Sequence, residues 1–437
     1  MVALILVGVS IAALLIYPTK SEIKIQVLVN SLSDFSVSYN LPSSAQCVFF
    51  GQSDNVLLPR GKVSALGRSH SFSQDDSSLC FDKPVSAFQI RFAVEPIDSP
   101  ASYLPFHIFS DGSFSLFLPY INITRLDDSF SASRLDVSTK AISFILDQVR
   151  YAESGKNIPV RDVDAYVYFG SSQLKSRGTF SAIFDPKLSP AIAAFIEITL
   201  NELMMRYTSI LVPKLRNNPS IFVGFNKASD KFDISADVVG GKNIYITLGG
   251  SQTLASLTES WKPIALILAH ELSHLWNGGQ AQNTSARWLH EGMSDILAIE
   301  ALVDLGFMSI NEGNSLQQAA IDRCASHSDA RVFLASGEVD FSSDIEKAHY
   351  DCGASVYISA VREAETMRKR MATHDIWNEL ISLERDDAHS YSKEDLMKVF
   401  TKHNLVQSRD LVIKLESKDC SSQCLMRTLK GIRQPNK

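Results

Sequence analysis

The chain has no basic block. Its 437 residues hold 42 Lys and Arg against 48 Asp and Glu, a formal charge of −6 spread thinly along the sequence. Without a stripe of cations to neutralise phosphates, nucleic acid is excluded as an expected partner. Internal repeats and low-complexity segments are also missing, so the second half reads as one α+β domain of roughly 250 residues. Cysteine is scarce, at six residues, and none falls in the CxxC spacing of a structural metal site. Histidine is scarce too, yet three of the ten histidines lie between residues 270 and 295.

What is present bounds the class. A hydrophobic content of 45% over this length can bury at least one large core and suits two or three domains. The opening run MVALILVGVSIAALLIY carries no charge in 17 residues. It is long enough for a signal-peptide core and marginal for a membrane span, which wants about 20 apolar residues. We read residues 1–17 as an export signal or a single N-terminal anchor, so the expected location is periplasmic, extracellular or membrane-anchored. The cysteines fall in pairs that stay within one region of the chain, suggesting disulfides between Cys47 and Cys80, Cys324 and Cys352, and Cys420 and Cys424 among the roughly 15 pairings that six cysteines allow.

The periodicity changes along the chain. From Glu22 to about Ile123, short alternating runs such as IKIQVLV, AFQIRFAVE and FSLFLPYINI are broken by Ser, Asp, Pro and Gly clusters, the pattern of a β domain. A helix is expected near Thr139–Glu153, and the best candidate boundary is Pro186–Pro190. Beyond it AIAAFIEITLNELMMRYTSIL repeats apolar residues at three and four, then SIFVGFN and NIYITLG read as strands, and helices dominate to the end. The expected fold class is α+β: a β-rich N-terminal domain over 20–187, then a mainly helical domain with a small β-sheet over 188–437.

Two helices carry the chemistry. Trp261–Trp276 is apolar enough for a buried helix, with Pro263 in its first turn and Gly278 and Gly279 ending it. His270 and His274 are four apart, so both imidazoles project from one face and can bind a single cation. Glu271 lies about 100° round the helix, placed to touch a water held there without being a ligand. A second helix, capped by Thr284 or Ser285 and running to Gly306, follows after so short a link that the two should pack antiparallel. Glu291 then faces His270 and His274. Two histidines and a carboxylate leave the fourth position of a tetrahedral zinc for water, the catalytic arrangement. Asp295, on the same face as Glu291, can accept the second ring N–H of a ligand histidine and fix its tautomer. His290 is read as a packing residue.

These residues carry a resemblance. HELSH, then LWN, then WLHEGMSD resembles the gluzincin metallopeptidases: HExxHxW and WLxEG are similar to the aminopeptidase N family, HxWN to the glycyl aminopeptidase family, and EGMSD to the EAMSD of thermolysin. The resemblance implies a thermolysin-like catalytic domain, one Zn2+ held by His270, His274 and Glu291, Glu271 as general base, Asp295 supporting a ligand, and a peptide or protein substrate. EKAHYDCGASVYISAV resembles the YxKGA stretch of aminopeptidase N relatives, whose tyrosine stabilises the tetrahedral intermediate; Tyr350 lands on it, with His349 in reserve. Cys352 replaces the usual lysine, consistent with a disulfide to Cys324.

The relatives also carry a GxMEN segment whose glutamate binds the substrate's amino group. Its nearest counterpart is VGGKNIYITLG, read as an edge strand with Gly241, Lys242 and Asn243 facing substrate and Lys242 where the glutamate belongs. A cation there would repel an ammonium, so strict aminopeptidase specificity is not expected. The expected function is zinc-dependent peptide hydrolysis. Its alternatives are a noncatalytic gluzincin-fold binding protein and a zinc hydrolase of a nonpeptide substrate.

Overall fold

The computed structural model describes residues 22–431 apart from 52–54, 66–71, 75–76, 97–102, 128, 131, 140–141, 147, 152–156, 161–163, 213, 216–217, 227–232, 240, 250–260, 278–286, 328–342, 384–390 and 418–421. The segment read as a signal or anchor, 1–17, lies outside the described residues. Among those residues no helix is long and apolar enough to cross a membrane.

The N-terminal half is built on two sheets. In the larger, of nine strands, β1 (Ile23–Ser31) pairs antiparallel with β2 (Asp34–Phe50), which pairs antiparallel with β3 (Ser78–Ala93). Alternation along β1 sends Ile23, Ile25, Val27 and Val29 inward, as the sequence pattern requires of a sheet with one dry face. A five-stranded sheet holds β4 (Phe106–Ile108), β5 (Phe114–Phe117), β6 (Phe144–Leu146), β7 (Val149–Tyr151) and β8 (Tyr166–Phe169), in the order β7-β6-β8-β5-β4. The helix expected over Thr139–Glu153 is therefore a correction. Gln148 takes a φ of 66°, which reverses the chain into the β6–β7 hairpin, and Phe144 pairs with Phe169 across β8. Pairing with β8 overrides a weak local helical pattern.

A third sheet runs β9 (Lys175–Ser176), β10 (Ser181–Phe184), β11 (Ser220–Asn226), β13 (Asn243–Gly249) and, antiparallel at its end, β12 (Asp233–Val239). Strands β9 and β10 precede the expected boundary at Pro186–Pro190, yet β10 pairs in parallel with β11 beyond it. Each face of this sheet meets a different core. Ile221, Val223, Phe225, Ile244, Ile246 and Leu248 join the helices, whereas Phe222 and Tyr245 join the aromatic core of the N-terminal half. Burial on both faces explains why SIFVGFN and NIYITLG read as unbroken apolar runs.

The helices are α1 (Pro190–Ile210), α2 (Lys262–Asn277), α3 (Arg287–Asp304), α4 (Ile310–Ser326), α5 (Ser343–Thr366), α6 (Thr373–Ser382), α7 (Lys393–His403), α8 (Val406–Glu416) and α9 (Ser422–Gly431). Ser189 caps α1, accepting from the Ile192 N–H. Ser309 and Glu312 form a capping box at α4. Disulfides join Cys47 to Cys80 and Cys324 to Cys352, as the sequence suggested; Cys424 is also disulfide-bonded, while Cys420 lies outside the described residues.

Candidate metal centre

Helices α2 and α3 pack on one another, and α2 also packs on β12. Across the helix pair the structure brings His270, His274 and Glu291 together. His270 Nε2 lies 3.0 Å from His274 Nε2 and 3.2 Å from Glu291 Oε2, and His274 Nε2 lies 3.4 Å from the same oxygen. A tetrahedron with metal–ligand bonds of about 2.0–2.1 Å has edges of roughly 3.3 Å. The three donors therefore already stand at the spacing of a zinc coordination sphere.

The outer contacts aim the donors. His270 Nδ1 lies 2.8 Å from Asp295 Oδ1, a contact that would keep the proton on that nitrogen when Nε2 turns to a metal. The Ser294 hydroxyl, 3.2 Å from His274 Nδ1, serves the second ring in the same way. Ser294 and Arg287, whose Nε donates to Glu291 Oε1 at 3.1 Å, are partners the sequence reading did not name. Both were accessible to it, since they sit three residues after and four before Glu291 on one helix.

Electrostatics without a metal follow from burial and mutual proximity. Burial, helped by His270 and His290 and opposed by Glu291, pushes His274 down to about 4, leaving the neutral imidazole that ligates metals. Burial also works against charge on Glu291, but hydrogen bonds from His270, His274 and His290 hold its carboxyl well below the usual range. For His270, burial is outweighed by Asp295 and Glu291, which raise it well above an ordinary imidazole. Glu271 is pushed up to about 8 by burial first, with Glu291, Asp237 and Asp295 adding to the shift and His270 opposing it. A dication bound beside it would draw it back toward the carboxylate.

Tyr350, on α5, sets its ring centroid 5.6 Å from that of His270. A glycine contact brings α5 this close: a Cβ on Gly353 would stand 2.2 Å from the Trp288 carbonyl oxygen, and one on Gly292 would stand 2.1 Å from the Gly353 carbonyl carbon. Only two glycines let the α3 and α5 backbones approach so closely. The disulfide from Cys352 and the ion pair of Asp351 with Arg323 tie the same turn of α5 to α4. His349 beside it is buried, and burial together with the Arg287 charge pushes it down to about 3. His290 is buried with Nε2 3.5 Å from Glu291 Oε1, so it contacts the carboxylate of the donor set as well as packing in α3.

The expected substrate-facing strand requires correction. Gly241, at φ 59°, and Lys242 form the turn between β12 and β13, and Asn243 opens β13, which pairs with β11 on one side and β12 on the other. The hairpin folds the preceding strand outward, so among the described residues β12 holds the edge on this side of the sheet. Asp237 of this hairpin is among the charges that raise Glu271. Asp237 is buried under the N-terminal half, where its Oδ2 lies 2.8 Å from His107 Nε2 and accepts from the Tyr166 hydroxyl at 2.8 Å and the Leu104 N–H at 3.3 Å.

No protein-family model matches the chain, and no curated protein matches it significantly. Solved structures do. An M1 zinc metallopeptidase from Deinococcus radiodurans aligns over 91% of this chain and 93% of its own at 12% identity, with a TM-score of 0.49. Native yeast LTA4 hydrolase aligns over 92% of this chain and 66% of its own at 11% identity, with a TM-score of 0.50. Identities this low speak for the fold alone, and the fold of this chain is similar to that of yeast LTA4 hydrolase along nearly its whole length.

Proposed function

We propose that the protein is a zinc-dependent peptidase, with a β-rich N-terminal domain and a catalytic domain that begins with β9 near Lys175, since β9 and β10 share the sheet of β11. The observation that carries this reading is the set of three donor atoms at tetrahedral-edge spacing with Glu271 beside it. The donor types fit one Zn2+ held by His270, His274 and Glu291. When bound there, the ion supplies Lewis acidity that lowers the pKa of water and polarises a carbonyl.

The chain's own groups do the rest. Glu271, too far round α2 to join the ligands, takes the proton of the attacking water and passes it to the leaving amine. Tyr350 donates its hydroxyl to the oxyanion that develops on the scissile carbonyl. Asp295 and Ser294 hold the two imidazoles in the ligating orientation. Among the described residues β12 is the edge strand, to which an extended peptide can add as a further strand. Asp237 is engaged by His107 and Tyr166 and is not offered to a substrate's ammonium group, so cleavage does not depend on a free N-terminus. Two disulfides suit folding in an oxidising compartment, in agreement with export.

Incubation of the purified protein with a peptide library, with and without a chelator, tests the reading. Cleavage that the chelator abolishes and added zinc restores is the expected result. Intact peptides, under conditions where zinc is bound at one equivalent, would overturn it in favour of a binding protein or a nonpeptide hydrolase.

A further inference from the structure

Glu291 divides its two oxygens between different neighbours. Oε2 faces His270 Nε2 at 3.2 Å and His274 Nε2 at 3.4 Å, toward the centre of the donor set. Oε1 faces away, accepting from Arg287 Nε at 3.1 Å, with His290 Nε2 3.5 Å off. Arg287 and Glu291 are four apart on α3, so the pair is set by helix geometry, and the carboxylate is 8% exposed against 22% for the arginine side chain. A guanidinium hydrogen bond to a buried carboxylate is charge-assisted and directional, and its planar fork loses less freedom on binding than an ammonium would.

We propose that Arg287 is a positioning residue that restricts Glu291 to metal ligation through a single oxygen. A carboxylate beside a dication can bind through one oxygen or through both. In the second mode it fills space that a substrate carbonyl and a water need. With Oε1 committed to Arg287, only Oε2 is free to turn toward the metal, and the site keeps its open position. The role is built into α3 itself: Arg287 opens the helix and Glu291 follows one turn on.

The inference rests on the zinc-site reading, and the test separates the two. Cobalt(II) is loaded into the full-length protein in place of zinc, metal content is measured, and the visible d–d absorption reports coordination number. Wild type is expected to take one equivalent with the intense band of a four-coordinate site. Arg287→Met and Arg287→Gln are both prepared, so that one folded variant suffices. Either should still take cobalt, with absorbance per cobalt reduced by about half or more as the second carboxylate oxygen joins the metal. Arg287→Lys, which restores a cation without the fork, should recover part of the band. A folded Met or Gln variant with one equivalent of cobalt and the wild-type spectrum would overturn the role of Arg287 while leaving the metal site standing. Wild-type protein that takes no cobalt or zinc would overturn both.

Discussion

Glu271 and Glu291 are both acids near the same two histidines, but their surroundings assign them different work. Glu291 is held as a carboxylate by three histidines, while Glu271 is pushed up to about 8 and lies outside the donor set. Glu271→Gln should therefore keep zinc at near one equivalent and lower turnover by about 10²–10⁴-fold, the usual worth of a general base. Glu291→Ala should instead lose zinc, because two imidazoles remain where three donors stood. Metal analysis and rates on both variants decide the assignment; an empty site in Glu271→Gln would make that residue a ligand. Tyr350→Phe should fold and bind metal, yet lose on the order of a hundredfold in rate, the scale of one oxyanion donor. An unchanged rate would move the role to His349.

At the scale of elements, the decisive contact is that between α3 and α5. Since the Cβ of Gly353→Ala would meet backbone at 2.2 Å, the helices must separate, and Tyr350 moves with α5. Overpacking of this kind costs about 1–3 kcal/mol. We expect Gly353→Ala to lower the melting temperature, retain zinc and lose most of its turnover; wild-type kinetics would show that the approach of α5 is not needed. The far end of α3 carries a pH effect. Glu300 accepts from Thr373 at the start of α6, and burial, its largest influence, pushes it up to about 7 from 4.5. A carboxyl raised in the folded state costs nothing below the unfolded value near 4.5, loses stability as pH rises from there to about 7, and carries the full penalty, about 3 kcal/mol, above it. Glu300→Gln keeps an accepting oxygen for Thr373 without the charge. It should melt with wild type at pH 4.5 and several degrees higher at pH 8, and equal melting at both values would refute the shift.

At the scale of the whole molecule, the N-terminal half acts on the site through β12. His107 contacts both Asp237 on β12 and Thr247 on β13, its ring stacks on Tyr245, and the Tyr166 ring packs tilted against the same tyrosine. This buried contact holds β12, the edge strand among the described residues, beside α2 and engages its Asp237. N-terminally acetylated peptides should consequently be cut at least as well as free ones. Stepwise removal of single residues from free N-termini, with the acetylated peptides inert, would require another acidic residue to bind the amine.

The donor set was legible in the sequence because helices convert spacing into direction locally: a step of four positions from His270 to His274, and of four from Glu291 to Asp295, places side chains on one face whatever the rest of the chain does. The same holds for the capped, periodic helices and for Cys47 opposite Cys80, which alternating strands joined by a short excursion bring into register. The β6–β7 hairpin reads as a helix from sequence because its strands are short and the outer partner of β6, β8, lies some twenty residues on. The edge strand was misassigned for a related reason. Whether β12 or β13 lies outside depends on which of them pairs with β11, a choice made by long-range hydrogen bonding. The approach of Tyr350 to His270 depends on Gly292 and Gly353 meeting across 61 residues of chain. Local geometry thus determined which atoms could hold a metal, while contacts between distant segments decided what stands over it and which strand borders it.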